Sequence, residues 1–232
     1  MSQFDETYDW VVVGSGAGSM TSALVMRQAG KSVLILEKTA FVGGTTAKSG
    51  GVIWVPNNRF MREAGDHDSA EAAIAYLDSL AEDVPGTSHE KRLTYVVEAP
   101  KMVDFLVERG VELERGSDFW PDYYDEAPGG CKTSRTVVAK PFDKKQLGDW
   151  EPRLRRGFMD VPARLDDGMK IIVPKFVRKS WHNKRLFAKI AFAIVAGKVT
   201  GKRYTTAGSA LQGRLLQAVL RAGVAIRTDS PV

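Results

Sequence analysis

Asp9-Trp10-Val11-Val12-Val13-Gly14-Ser15-Gly16-Ala17-Gly18-Ser19 decides the fold of this chain, because a short apolar run passes directly into glycines at alternate positions. Asp9 to Val13 reads as a strand and Gly14 to Gly18 as a tight turn. Beyond the turn, Met20, Ala23, Leu24 and Arg27 recur at helical spacing, and Gly30 stands where a left-handed C-cap is wanted, so the spacing predicts a helix ending near Ala29. Ser32 to Leu36 is a second continuous apolar run, the pattern of a parallel strand buried on both faces. Together these pieces make one βαβ unit of about thirty residues.

Each position in the turn has a physical reason. Gly14 permits the tight turn, Gly16 lets the backbone approach a pyrophosphate, and the small Ser19, at the place of a third glycine, lets the helix pack close to the strand. The helix N-terminus presents N–H groups and partial positive charge to phosphates. Glu37 closes the second strand about twenty residues on, where a carboxylate accepts hydrogen bonds from ribose hydroxyls. Glycine-rich turns also occur in ordinary loops; the preceding strand, the following helix and the acid at the right separation favour a nucleotide. Gly43-Gly44-Thr45-Thr46-Ala47-Lys48-Ser49-Gly50-Gly51 then offers four glycines and three hydroxyls just past the ribose strand. A nicotinamide dehydrogenase has no need of them there, whereas the ribityl chain and ring of FAD continue past the adenosine. The alternative is a flexible Gly/Ser/Thr loop.

A length of 232 residues with 44% hydrophobic content allows one large domain or two small ones around a packed core. The single Cys131 excludes an internal disulfide, and His67, His89 and His182 form no zinc-ligand spacing, so no metal is expected. A reducing, cytoplasmic setting fits. The acidic start lacks an export signal. Leu186 to Gly197, the longest apolar stretch, is interrupted by Lys189 and is shorter than the roughly 20 residues that cross a bilayer, so stable membrane insertion is not expected. Of the formal charge of +5, residues 131–203 hold 19 Lys/Arg against 6 Asp/Glu. No nucleic-acid motif accompanies this basic middle, which reads as a solvated face or one that meets an acidic partner.

Further along, Asp68 or Ser69 caps a helix carrying Ile74, Leu77 and Leu80, and two more helices are expected from His89 to Glu98 and from Pro100 to Arg109. Residues 115–185 read mostly as irregular. Ser209 caps a last helix with Leu211, Leu215, Leu216, Val219 and Leu220, Gly223 stops it, and Val224 to Thr228 is a strand. The expected organisation is one partial FAD-binding domain over 1–232: the βαβ unit and flavin loop at 1–60, a helical and irregular insertion at 61–206, and a returning helix and strand at 207–232.

With Asp-Trp-Val-Val-Val-Gly-Ser-Gly-Ala-Gly, Leu-Glu-Lys, Gly-Gly-Thr-Thr-Ala-Lys-Ser-Gly-Gly and Ile-Trp-Val-Pro-Asn-Asn in this order, the chain resembles the fumarate reductase and 3-ketosteroid dehydrogenase family of flavoproteins, and within it is similar to the 3-oxosteroid dehydrogenases. The tract Trp120-Pro121-Asp122-Tyr123-Tyr124-Asp125-Glu126-Ala127-Pro128-Gly129-Gly130 and Ala207-Gly208-Ser209-Ala210-Leu211 extend the likeness, which is strongest to about residue 60. The resemblance implies an α/β, Rossmann-like FAD-binding fold with a parallel sheet and flanking helices, incomplete in this length and without the substrate-capping domain. It implies non-covalent FAD held by Gly14, Ser15, Gly16, Ala17, Gly18, Glu37, Lys38, Gly44, Thr45, Thr46, Ser49, Gly50 and Gly51, since the covalently flavinylated succinate dehydrogenases carry a histidine in the segment matching 43–51 and none is present here.

The implied reaction is dehydrogenation of a CH–CH bond next to the ketone of a 3-ketosteroid, with hydride passing to flavin N5 and then to an external acceptor. Phe119, Trp120, Tyr123 and Tyr124 could wall a planar apolar substrate, or could be ordinary core aromatics. The resemblance places an assisting tyrosine shortly before the Trp-Pro-Asp-Tyr tract, near Asp118 here, which leaves 4,5-dehydrogenation or another cyclic ketone open. No catalytic residue is assigned within the chain; most are expected beyond residue 232, so the chain alone is expected to be inactive. A fumarate reductase-type dicarboxylate reductase and a non-catalytic FAD-binding fragment are the alternatives.

Overall fold

The computed structural model describes residues 6–117, 120–167 and 180–232. In chain order the elements are β1 (Trp10–Val13), α1 (Ala17–Gln28), β2 (Val33–Leu36), β3 (Ile53–Trp54), α2 (Arg59–Glu63), α3 (Ala70–Leu80), α4 (His89–Glu108), β4 (Leu113–Arg115), β5 (Thr136–Ala139), β6 (Phe142–Asp143), α5 (Trp181–Val199), β7 (Tyr204–Thr205), α6 (Ala207–Arg221) and β8 (Ala225–Arg227), with 3₁₀ turns at Thr46–Lys48 and Lys144–Arg153. They fall into two compact units, Met1–Gly51 with Ala139–Val232, and Val52–Val138.

The first unit is α/β, built on a parallel sheet of order β1-β2-β8, with Trp10 opposite Val33 and Leu34 opposite Ala225. The helix α1 buries Met20, Ala23 and Leu24, and ends where the sequence places its end, with Ala29 at the C-cap and Gly30 at φ 76°. Val33, Leu34 and Ile35 of β2 are buried, as a central parallel strand requires. The outer strand β1 differs: Val12 faces the core while Val11 and Val13 are exposed.

At α6 the structure corrects the expected cap. The helix begins at Ala207 with Thr206 at the N-cap, and Ser209 lies buried inside the first turn, donating to the Arg155 carbonyl at 3.3 Å. Backbone docking, not a serine cap, sets the start: the Gly208 N–H donates to the Ser49 carbonyl at 3.0 Å, and a Cβ at 208 would stand 1.9 Å from the Thr46 carbonyl oxygen. Gly223, at φ 71°, ends the helix as expected.

In the second unit β5 lies between β3 and β4, and β3 runs antiparallel to it, with Ile53 opposite Val137. The described part of 115–185 also holds β5 and β6, which the sequence reading passes over because strands of two to four residues are too short to display a period. Ser69 caps α3 by accepting from the Ala72 N–H at 3.1 Å. The two helices expected around Pro100 are one, α4, with Pro100 inside it. A proline there removes one backbone hydrogen bond. The buried face Val96, Ala99, Val103 and Leu106 runs through that point and holds both halves on one axis.

Gly208→Ala is expected to destabilise the first unit by about 3 kcal/mol, at the upper end of overpacking costs, because its Cβ meets backbone that cannot move aside alone. Thermal denaturation reads this directly; an unchanged midpoint would show that α6 does not rest on the 46–49 turn.

Candidate functional site

A cavity of about 610 Å³ opens in the first unit where β1 and β2 end and α1 begins. Among the residues singled out from the sequence, Gly14, Ser15, Gly16, Glu37, Lys38, Gly44 and Thr45 line it. Ala17, Gly18, Thr46, Ser49, Gly50 and Gly51 do not. Thr46 instead accepts from the Ala17 N–H at 3.3 Å, tying the 3₁₀ turn to the first turn of α1. Gly51, at φ 65°, lies against Ala207 and Gly208, with no room for a Cβ.

Ser15 organises this cavity. Its hydroxyl donates to Glu37 Oε2 at 2.5 Å and accepts from the Gly43 N–H at 2.9 Å, while its carbonyl accepts from Gln212 Nε2 at 2.7 Å. Glu37 Oε1 accepts from both the backbone N–H and the hydroxyl of Thr39, each at 3.0 Å. The Glu37 side chain is buried, which raises a carboxyl pKa, but the bonds from Ser15 and Thr39 and the nearby Arg155 outweigh burial and hold it below the usual carboxylate range. Three donors on a carboxylate with about four acceptor positions leave room for one more hydroxyl.

The residues fit a dinucleotide. Gly16 has an ordinary backbone, at φ −71°, and a Cβ on it would make only a normal contact, 3.6 Å from Thr46 Oγ1. The protein itself therefore does not require glycine there; close approach of a ligand would. No acidic residue occupies the first turn of α1. Three cations on the cavity wall, Lys38, Lys48 and Arg155, have no carboxylate ion pair among the described residues. Arg155 Nη2 donates to Thr39 Oγ1 at 2.8 Å, and its Nε is buried without a hydrogen-bond partner. Such a wall favours a diphosphate. Arg155, Thr39 and Gln212 lie outside any motif, so the sequence carried no signal for them.

The second unit holds its own cavity, about 460 Å³, lined by Trp54, Tyr76, Leu77, Leu80, Trp120, Tyr123 and Tyr124, among others. Phe119 and Asp118 lie outside the described residues. Tyr123 and Tyr124 are 95% and 63% exposed, so they are not core aromatics. Behind the wall, the fully buried Arg135 pairs with Asp68 at 2.7 Å and with Asp122 at 2.8 Å, and lies over the Trp54 and Tyr76 rings. Asp122 also accepts from Trp54 Nε1 at 2.7 Å and from the Cys131 N–H at 3.0 Å. Every oxygen of Asp122 is thereby committed to structure. Burial raises the Tyr76 phenol, whose oxygen accepts from the Tyr124 N–H at 3.3 Å.

A family profile described as "FAD binding domain" matches residues 9–232. The chain is 34% identical over 226 residues to a "3-oxosteroid 1-dehydrogenase" of Mycolicibacterium smegmatis, covering 95% of this chain and 39% of that protein. It is 34% identical over 186 residues to a "4-oxocyclohexanecarboxylate 2-dehydrogenase" of Sinomonas cyclohexanicum, covering 70% and 32%. A crystal structure of 3-ketosteroid delta1-dehydrogenase from Sterolibacterium denitrificans in complex with 1,4-androstadiene-3,17-dione superposes with a TM-score of 0.80 at 27% identity, over 96% of this chain and 40% of that one. A flavocytochrome c3 fumarate reductase shares the fold alone, at TM-score 0.52 and 15% identity. The chain thus spans about two fifths of the length of the first of these relatives, 39% of it. It belongs to the FAD binding domain family, is related to the 3-oxosteroid dehydrogenases, and has FAD as its cofactor.

Proposed function

We propose that this domain serves a dehydrogenase that oxidises a CH–CH bond beside a ring ketone, a 3-ketosteroid being the favoured substrate. The observation that carries the reading is the open apolar cavity of the second unit, walled by Trp120, Tyr123 and Tyr124. A planar hydrocarbon skeleton loses water-exposed area against such a wall. Among the described residues lining that cavity the charged one is Asp122, an anion whose two oxygens are both engaged by Trp54, Cys131 and Arg135. A small dianion needs cationic clamps, so a dicarboxylate reductase is disfavoured. The names of the Mycolicibacterium and Sinomonas relatives agree in one respect: each contains a ketone on a ring. A monocyclic ketone is the second reading, favoured by the Sinomonas relative.

FAD is proposed to lie in the Rossmann-like first unit, held without a covalent bond. Its diphosphate would meet Gly14, Gly16, Gly44, Thr45, Lys48 and Arg155, and its ribose Glu37, with Ser15 fixing the acid and Lys38 at the rim; Ala17, Gly18, Thr46, Ser49, Gly50 and Gly51 would shape the path beyond. When bound, FAD supplies the hydride acceptor at flavin N5. The chain's own part is to bind and orient: Glu37 is kept ionised so that it accepts from a ribose hydroxyl, and the aromatic wall presents the ring. An external acceptor would reoxidise the flavin.

Anaerobic addition of a 3-ketosteroid to the FAD-loaded full-length dehydrogenase that this domain serves is expected to bleach the oxidised-flavin absorbance, while fumarate leaves reduced flavin unchanged. Bleaching by a 4-oxocyclohexane acid but not by a steroid would select the monocyclic reading, and reoxidation by fumarate with no response to either ketone would overturn both. Gly16→Val is expected to abolish FAD binding; undiminished affinity would misplace the diphosphate.

Glu37→Gln keeps an acceptor and removes the charge, so FAD affinity should fall at least about tenfold at neutral pH, from loss of charge-assisted bonds worth about 1.5–3 kcal/mol each. The same substitution should lower stability near neutrality. Because the folded pKa of Glu37 is depressed, the wild-type advantage is present above the unfolded carboxylate range and is lost as pH falls through the folded value. Equal stabilities of the two proteins across the range from acid to neutral would contradict this.

A further inference from the structure

Among the described residues lining the cavity of the second unit, Tyr76, Asp122 and Thr136 are both polar and buried. Two of them are spent on the protein. Both Asp122 oxygens are engaged by Trp54, Cys131 and Arg135, and the Thr136 hydroxyl is bonded to the Ser134 hydroxyl at 2.6 Å. Tyr76 differs. Its oxygen accepts from the Tyr124 N–H at 3.3 Å, but its own O–H meets no acceptor among the described residues. A phenol has one proton to donate, and burial makes an unmade bond costly.

The ring has little freedom to carry that donor elsewhere. Tyr76 projects from α3 and is 6% exposed, its ring stacked on Trp54 at 6.1 Å between centroids, with the Arg135 guanidinium 5.8 Å from its own centroid. Burial pushes the phenol pKa up, so the donor is present at neutral pH. The side chains of Val52, Leu77, Leu80 and Pro121 on the same wall offer an apolar ligand shape and no hydrogen bond.

The charge beside the phenol decides which oxygen it suits. Arg135 lies between Asp68 and Asp122, one cation against two carboxylates, so the buried cluster carries an excess of negative charge. Taking a proton from beside a ketone drives negative charge onto that ketone's oxygen, and the excess opposes it. A carboxylate on the substrate is opposed in the same way. A carbonyl that stays neutral throughout is not.

We infer that Tyr76 is a specificity-determining residue whose hydroxyl donates to a second, non-reacting carbonyl oxygen on the substrate's ring skeleton, away from the ketone beside which the bond is oxidised. The inference rests on the ring-ketone reading and narrows it to skeletons with a second neutral carbonyl. It favours a diketone of steroid size over a monocyclic keto acid.

Steady-state oxidation by the FAD-loaded full-length dehydrogenase, with a dye as acceptor, tests this on two steroids: a 3-ketosteroid with a second ketone on its five-membered ring, and the same 3-ketosteroid without it. The wild type is expected to show a KM about tenfold lower for the diketone. Tyr76→Phe keeps the ring and its stacking; it should raise KM for the diketone about tenfold, with KM for the monoketone and kcat for both changed less than about twofold. A merely structural role would not respond to a distant oxygen. Calorimetric dissociation constants on the dithionite-reduced enzyme, which can oxidise neither steroid, should show the same split. Equal KM values of the two steroids in the wild type, an equal effect of Tyr76→Phe on both, no effect on either, or a fall in kcat at unchanged KM would overturn the inference alone. A wild type that oxidises neither steroid would overturn the steroid reading and the inference with it.

Discussion

Ser15 is the point through which the first unit is tied together. Its short bond to Glu37 fixes the acid at the end of β2, its acceptance from Gly43 starts the loop beyond that strand, and Gln212 reaches its carbonyl from α6, nearly two hundred residues later. All of this occurs in a buried setting, where an unsatisfied polar group costs about 1–3 kcal/mol, more when charged. Glu37 would be an expensive residue without these donors. With them it is ionised and held in the cavity wall with one acceptor position left. The glycine turn and the acid are thus two ends of one hydrogen-bonded piece.

The second unit uses a different constraint for a similar purpose. Asp68, Arg135 and Asp122 form a buried ionic cluster, and the Arg135 guanidinium is also the platform on which Trp54 and Tyr76 lie. Removing one member of such a cluster costs about 3–5 kcal/mol because the remaining charges stay buried. Asp122 hands this rigidity to the tract that follows: it fixes Trp54 through the indole N–H and Cys131 through the backbone, while its neighbours Tyr123 and Tyr124 project outward. Cys131 contributes its backbone to this arrangement, and its thiol rests 3.2 Å from Thr133 Oγ1.

The parts of the structure governed by local rules were legible in the sequence. The end of α1 at Ala29 and Gly30, the buried β2, the Ser69 cap and the stop at Gly223 each follow from one residue type in one conformation. What escaped was non-local. Pro100 does not divide α4 because packing on its buried face outweighs one lost bond, and Ser209 does not cap α6 because Gly208 docks on distant backbone first. The same holds at the cavity. Glu37 and the glycines stand in a spaced motif, whereas Arg155 arrives from a segment more than a hundred residues away and Gln212 from a helix whose pattern reads simply as amphipathic. Likewise Asp68 looks like a cap in sequence and proves to be half of a buried ion pair.

The most direct measurement of the central claim is amide hydrogen exchange of the protein with and without FAD. The account predicts slowed exchange in the glycine turn 14–18, in 37–39 and in 43–46, the segments that Ser15 and Thr46 join, with little change in the 120–124 tract of the second unit. Protection confined to that aromatic tract, or none in the glycine turn, would contradict it.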